Sequence, residues 1–218
     1  MKMIKIFDDP YDQNFSICKK KEIEIQPGIT ILTGCNGIGK STILHNIKNV
    51  LEKENIPVFF YDNQKGNKFI NNDANFMASL LTYSESEKIS LNLKRIMPEL
   101  IYFIKNGKLN NNYINLLEFM SPKNNDNITN ERWILFDAID SGYSIDNIIE
   151  IKNLFKLMIN NANDLNKKLY IVSSSNEYEL TCDMNCFDII EGEYIKFKDY
   201  EDYKNFILNT RNKKDKRY

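Results

Sequence analysis

The chain has 218 residues, with 42% hydrophobic and 12% aromatic side chains, 29 Lys and Arg against 30 Asp and Glu, and a net charge of −1. Such a composition supports a buried core and excludes wholesale disorder, while the balanced charge provides no global field toward nucleic acid. The longest apolar stretches, such as Leu100 to Ile104 and Trp133 to Phe136, fall far short of the roughly 20 residues that span a bilayer.

Residues 1–11 carry no apolar leader core, so a cytoplasmic location is expected. Four cysteines, at 18, 35, 182 and 186, form no C-x-x-C pair, which suits free thiols in a reducing compartment. The single histidine, His45, excludes multi-histidine metal sites. It falls inside a helical pattern and reads as a packed or surface imidazole.

In chain order, Glu22 to Gln26 alternates polar residues with Ile23 and Ile25. Pro27-Gly28 then signals a turn, and Ile29 to Thr33 is an apolar β run. Four of the eight glycines, Gly28, Gly34, Gly37 and Gly39, lie within twelve residues, so backbone permissiveness is concentrated there. Ser41 to Glu52 places Ile43, Leu44, Ile47, Val50 and Leu51 at helical spacing. Pro57 to Tyr61 reads as a second strand. A mostly helical, irregular segment covers about 66–130, with a stripe of Leu91, Leu93, Ile96, Leu100 and Ile101. Further on come a strand at Trp133 to Phe136, a helix at Ile148 to Asn161, a strand at Leu169 to Ser173 and a hairpin at Asp188 to Phe197. Strands alternating with helices predict an α/β fold with a mostly parallel sheet flanked by helices. One domain is expected over 1–210, with a small helical subdomain at about 66–130. The charged residues 211–218 would form a flexible tail, either solvated or in contact with nucleic acid.

The run Gly34-Cys35-Asn36-Gly37-Ile38-Gly39-Lys40-Ser41-Thr42 fits G-x-x-x-x-G-K-[ST] between a strand and a helix. Glycines allow successive backbone N–H groups to face one concavity, and the helix N-terminus adds partial positive charge there. Lys40 would reach the β and γ phosphates, and Ser41 would hold Mg²⁺ through its hydroxyl. Trp133-Ile134-Leu135-Phe136-Asp137 is an apolar strand ending in an acid, the Walker B pattern, with Asp137 ordering the Mg²⁺ shell.

Together, the segment from Pro27 to Thr42 and the Asp137 strand resemble the ATPase core of the ABC superfamily, above all its SMC- and RecF-like branch, often called AAA-family ATPases. The resemblance spans about residues 15–200 and is weak between 66 and 130. It implies a P-loop NTPase fold with an antiparallel β part near the N-terminus, and ATP with Mg²⁺ held by Asn36, Gly37, Ile38, Gly39, Lys40, Ser41 and Thr42. It also implies Gln64 as a Q-loop contact to Mg²⁺ and water. Tyr83-Ser84-Glu85-Ser86-Glu87 would be a degenerate signature motif in which Ser84 and Ser86 face a partner's ATP, although Ser84 with Glu87 equally forms a capping box. Asp140 to Asp146 resembles the D-loop, and Asn176 stands where a switch histidine often lies. Tyr11 or Phe15 either packs in the core or stacks on adenine.

Ala138 departs from the pattern, because the family expects a glutamate directly after Asp137 as general base. Loss of such a base costs about 10²–10⁴-fold in rate. The alanine is either an engineered replacement that traps ATP or the mark of a natural non-hydrolysing member. The resemblance implies a two-fold homodimer with two ATP at its interface, and a protein or DNA partner. Alternatives are a nucleotide-gated regulator that never turns over and the ATPase subunit of a transporter.

Overall fold

The computed structural model describes residues 1–6, 18–62, 85–109, 119–120 and 129–215, with the backbone alone at 85–95 and 119–120. Two strands, β1 (Lys2–Lys5) and β2 (Glu22–Ile25), pair antiparallel with Ile4 opposite Ile23. The main sheet holds β3 (Gly28–Thr33), β4 (Val58–Asp62), β5 (Phe119–Met120), β6 (Glu131–Asp137), β7 (Lys168–Ser174), β8 (Asn185–Asp188) and β9 (Glu193–Ile195). Its order is β5-β4-β6-β7-β3-β8-β9. The five inner strands are parallel, and β5 and β9 run antiparallel at the two edges. The expected mostly parallel sheet, and the antiparallel part near the N-terminus, are both present.

Parallel strands buried on both faces lose the apolar–polar alternation and read as continuous apolar runs. In β6, Trp133 and Leu135 join one core while Ile134 and Phe136 join the other. β4 divides in the same way, with Val58 and Phe60 against Phe59 and Tyr61. Trp133 lies opposite Tyr170 in register, and their rings stack at 4.0 Å and 2°. Burial of their ring carbons stabilises the sheet, offset in part because Trp133 Nε1 and Tyr170 Oη have no hydrogen-bond partner among the described residues.

The helices are α1 (Lys40–Lys53), α2 (Glu85–Asn106), α3 (Ile145–Asp164), the single turn α4 (Tyr178–Thr181) and α5 (Tyr200–Asp215). α1 packs its Ile43, Leu44, Ile47 and Leu51 stripe on the face shared with β1 and β2. α2 and α3 cover the opposite face through Leu100, Phe103, Ile148, Ile151 and Phe155. Two asparagines stop helices. Asn55 has φ +54, its N–H donates to Glu52 O, and Ile56 N–H donates to Leu51 O at 2.9 Å. Asn166 repeats this with φ +52, and Lys167 N–H donates to Ala162 O at 2.8 Å. Both are Schellman closures, and each turns the chain directly into a strand.

Of the segment 66–130, expected to be mostly helical and irregular, the structure describes α2 and the two-residue strand β5, which pairs with β4, while residues 66–84, 110–118 and 121–128 lie outside the described residues. One expectation is revised. A flexible tail does not begin at 211, because α5 runs through Asp215. Buried Thr210 and the contacts of Lys213 with Glu191 and of Lys214 with Asn36 O hold its last turn. Among the described residues, no helix is long and apolar enough to cross a membrane.

Candidate functional site

The C-terminal ends of β3, β6 and β7 stand side by side, because β7 lies between the other two. Leu32 is level with Ser174, and Phe136 with Ser173. Ligands of open α/β sheets bind in the crevice at this end of the strands. Here the chain leaves β3, bends through Gly34–Gly39 and enters α1.

Gly39 sits at the N-cap of α1 with φ +110, a conformation that L side chains rarely adopt. Gly37 has φ +73, and a Cβ there would meet the Lys214 ammonium at 2.8 Å. Ile38 is buried and anchors the bend, while Asn36, Gly37 and Ser41 are exposed around it. Thr42, in the first turn of α1, is half-buried. Lys40 is only 8% exposed, and its Nζ donates to Gly34 O at 2.7 Å and Cys35 O at 3.2 Å. Burial pushes the Lys40 ammonium down to about 8, opposed by the negative charges of Asp140 and Asp137.

Ser41 Oγ donates to Asp137 Oδ1 at 3.0 Å across 96 residues of sequence. Ser174 Oγ donates to the same oxygen at 2.7 Å and accepts Ala138 N–H at 2.7 Å. The hydroxyl and carboxylate of Ser41 and Asp137 are hard oxygen donors of the kind Mg²⁺ prefers. Among the described residues, no three His, Cys, Asp or Glu side chains cluster as metal ligands. A divalent cation here would therefore rely on phosphate and water oxygens for most of its shell, which is the usual Mg²⁺ arrangement.

Ala138 follows Asp137 with φ +51, a strained conformation for a residue with a Cβ. Its methyl group can neither accept a proton nor orient water. Asp140 is turned inward and 2% exposed. Its Oδ2 accepts Ser175 Oγ at 2.6 Å, Asn176 N–H at 2.6 Å and Glu177 N–H at 2.9 Å. Asn176 therefore engages Asp140 through its backbone, and its carbonyl accepts Tyr203 Oη–H at 2.8 Å. Gln64 and Ser84 lie outside the described residues, as do Tyr11 and Phe15, and Ser86 is described only as helical backbone in α2. His45 stacks on Phe60 at 4.8 Å, a packing role.

The structure therefore brings together Lys40, Ser41 and Asp137 of the predicted set. Ser174 and the α5 residues Thr210 and Lys214 join them without having been singled out in the sequence. Thr210 Oγ1 accepts Cys35 N–H at 3.1 Å. The spacing of Tyr203, Ile207, Thr210 and Lys214, which places them on one helical face, was the available signal.

No protein-family model matches the sequence, and no curated protein does. Among solved structures, the chain is similar to the ADP conformation of MJ1267, an ATP-binding cassette of an ABC transporter. The identity is 14%, over 96% of this chain and 97% of that one, with a TM-score of 0.46. It is also similar to a DNA replication initiation factor (15% identity, 69% and 32% covered, TM-score 0.31). A third likeness is to an E. coli MS115-1 HORMA:CdnC:Trip13 complex (13% identity, 85% and 54% covered, TM-score 0.35). At this level of similarity the likenesses assign neither a family nor an activity.

Proposed function

We propose that the chain is an ABC-type P-loop ATPase that binds ATP with Mg²⁺ on the 34–42 loop. The observation that carries this reading is the Ser41 hydroxyl on the Asp137 carboxylate, 3.0 Å apart, beside a buried lysine at a strand–loop–helix junction. The loop amides and the N-terminus of α1 would receive phosphate oxygens, with Lys40 contributing the cation. Ser41 and Asp137 would hold Mg²⁺, which neutralises charge on the phosphates. Two copies would close around two nucleotides, with Gln64, Ser84 and Ser86 as further contacts, and closure would act on a protein or DNA partner. The kinship with SMC- and RecF-like ATPases rests on the 27–42 segment and the Asp137 strand.

Ala138 supports a second reading, a nucleotide-gated regulator that binds ATP without turnover. Calorimetry with ATP and Mg²⁺ tests binding, and Lys40→Ala should weaken it at least tenfold. Absence of binding to well-folded protein refutes both readings. Phosphate release from Ala138→Glu separates them: a rise of about 10²–10⁴-fold supports the ATPase, and no rise supports the regulator. A mass that stays monomeric at saturating ATP refutes the closed dimer.

A further inference from the structure

Helix α5 is polar over most of its surface and buries only Tyr203 and Thr210. Those two share one face with half-buried Ile207 and Lys214, at spacings of four, three and four residues. That face is fixed at both ends to the candidate site. Tyr203 Oη donates to Asn176 O at 2.8 Å in the loop after β7, and Thr210 Oγ1 accepts Cys35 N–H at 3.1 Å in the loop after β3. Lys214, one turn beyond Thr210, is thereby carried onto the glycine bend, where its Nζ donates to Asn36 O at 3.1 Å.

Two ammonium groups thus lie on three successive carbonyls of one loop, Lys40 on Gly34 and Cys35 and Lys214 on Asn36. The neighbouring Lys213 is paired with Glu191 at 2.7 Å. Among the described residues, no carboxylate pairs with Lys214. Two positive charges on one loop, with Lys214 paired to no carboxylate among the described residues, make a site for an anion that approaches the exposed glycine bend. The P-loop lysine serves the β and γ phosphates, whereas the helix-side amides serve the inner ones. Lys214 meets the bend at exposed Asn36 and Gly37, ahead of the helix-side turn, which leaves the inner phosphates to the amides of that turn.

We infer that Lys214, mounted on α5, is a second phosphate-contacting lysine that distinguishes a nucleoside triphosphate from a diphosphate. This rests on nucleotide binding at the 34–42 loop. When the outer phosphate is present, the flexible lysine exchanges its carbonyl partner for phosphate oxygen. A charge-assisted contact at a partly exposed position corresponds to about a tenfold change in affinity.

The test compares full-length wild type, Lys214→Gln and Lys214→Arg by calorimetry with ATP and with ADP, each with Mg²⁺. Lys214→Gln should bind ATP about tenfold more weakly and ADP within twofold of wild type, while Lys214→Arg stays within threefold for both. Unchanged ATP affinity in Lys214→Gln overturns the inference, and so does an equal loss for ATP and ADP, which would indicate a damaged loop. Matching melting temperatures for wild type and Lys214→Gln exclude misfolding, and Thr210→Val, which releases the helix from Cys35, should reproduce the selective loss of ATP affinity. Wild type that binds neither nucleotide refutes the underlying site, an outcome distinct from a wild type that binds while the variants match it.

Discussion

Replacing Asp140 should unfasten the loop after β7. Its Oδ2 accepts three donors, at 2.6, 2.6 and 2.9 Å, and the residue is 2% exposed. A hydrogen bond to a charged group is worth roughly 1.5–3 kcal/mol. The amides of Asn176 and Glu177 belong to exposed residues and can regain water, so the low end of that range applies to them. The three bonds together are worth about 4.5–6 kcal/mol, and removing the buried Oδ1, which has no partner among the described residues, returns about 1.5–2 kcal/mol. Asp140→Ala is therefore expected to lose about 3–4 kcal/mol, equivalent to a fall of about 1.5–2 M in the urea midpoint for a slope of about 2 kcal/mol/M. Asp140→Asn keeps a carbonyl oxygen in the same place and should lose about 1–2 kcal/mol. Hydrogen exchange gives the local readout: the amides of residues 176 and 177 should lose protection in Asp140→Ala before the strands do. An alanine variant within 1 kcal/mol of wild type, or unchanged protection at those two amides, would refute the reasoning.

On the proposed function, Lys40 should make ATP affinity depend on pH. With the free ammonium at about 8, the protein must recover a proton to engage phosphate at higher pH. Affinity should fall about tenfold per unit above pH 8, with proton uptake measurable by calorimetry in buffers of different ionisation enthalpy. The free protein shows the opposite sign. The unfolded lysine stays protonated up to 10.5 while the folded one releases its proton at about 8, so stability rises with pH between those values in the wild type relative to Lys40→Met. Ala138→Gly should relieve the left-handed backbone at φ +51 and stabilise the fold by about 0.5–1 kcal/mol. That corresponds to a rise of about 1–4 °C in melting temperature.

Strands β3, β4, β6 and β7 were legible because burial on both faces leaves nearly unbroken apolar runs. The phosphate loop was legible because its glycines cluster. β1 was not, since Lys2–Lys5 offers one fully buried side chain, Ile4, and pairs only with a strand brought from residue 22. α5 was obscured by its polarity, since its hold combines the hydrogen bonds of Tyr203, Thr210 and Lys214 with scattered packing of Phe206 and Ile207. Ser174 sits in a run of three serines, which cannot disclose which hydroxyl meets which acid. Strand alternation decides it, turning Ser174 to Asp137 and Ser175 to Asp140. The many asparagines of the sequence concealed two with a structural role, Asn55 and Asn166, whose left-handed turns end α1 and α3.

The insertion of β7 between β3 and β6 also governs when during synthesis the chain can do anything. Its two acid–hydroxyl contacts link residue 41 to 137 and 137 to 174, and the strand separating them is among the last to be made. Such distant pairings form slowly and late. A nascent chain that has emerged only as far as α3 carries the complete glycine bend yet lacks the wedge that spaces it from Asp137. On the proposed function, nucleotide capture would therefore wait until β7 has joined β3 and β6.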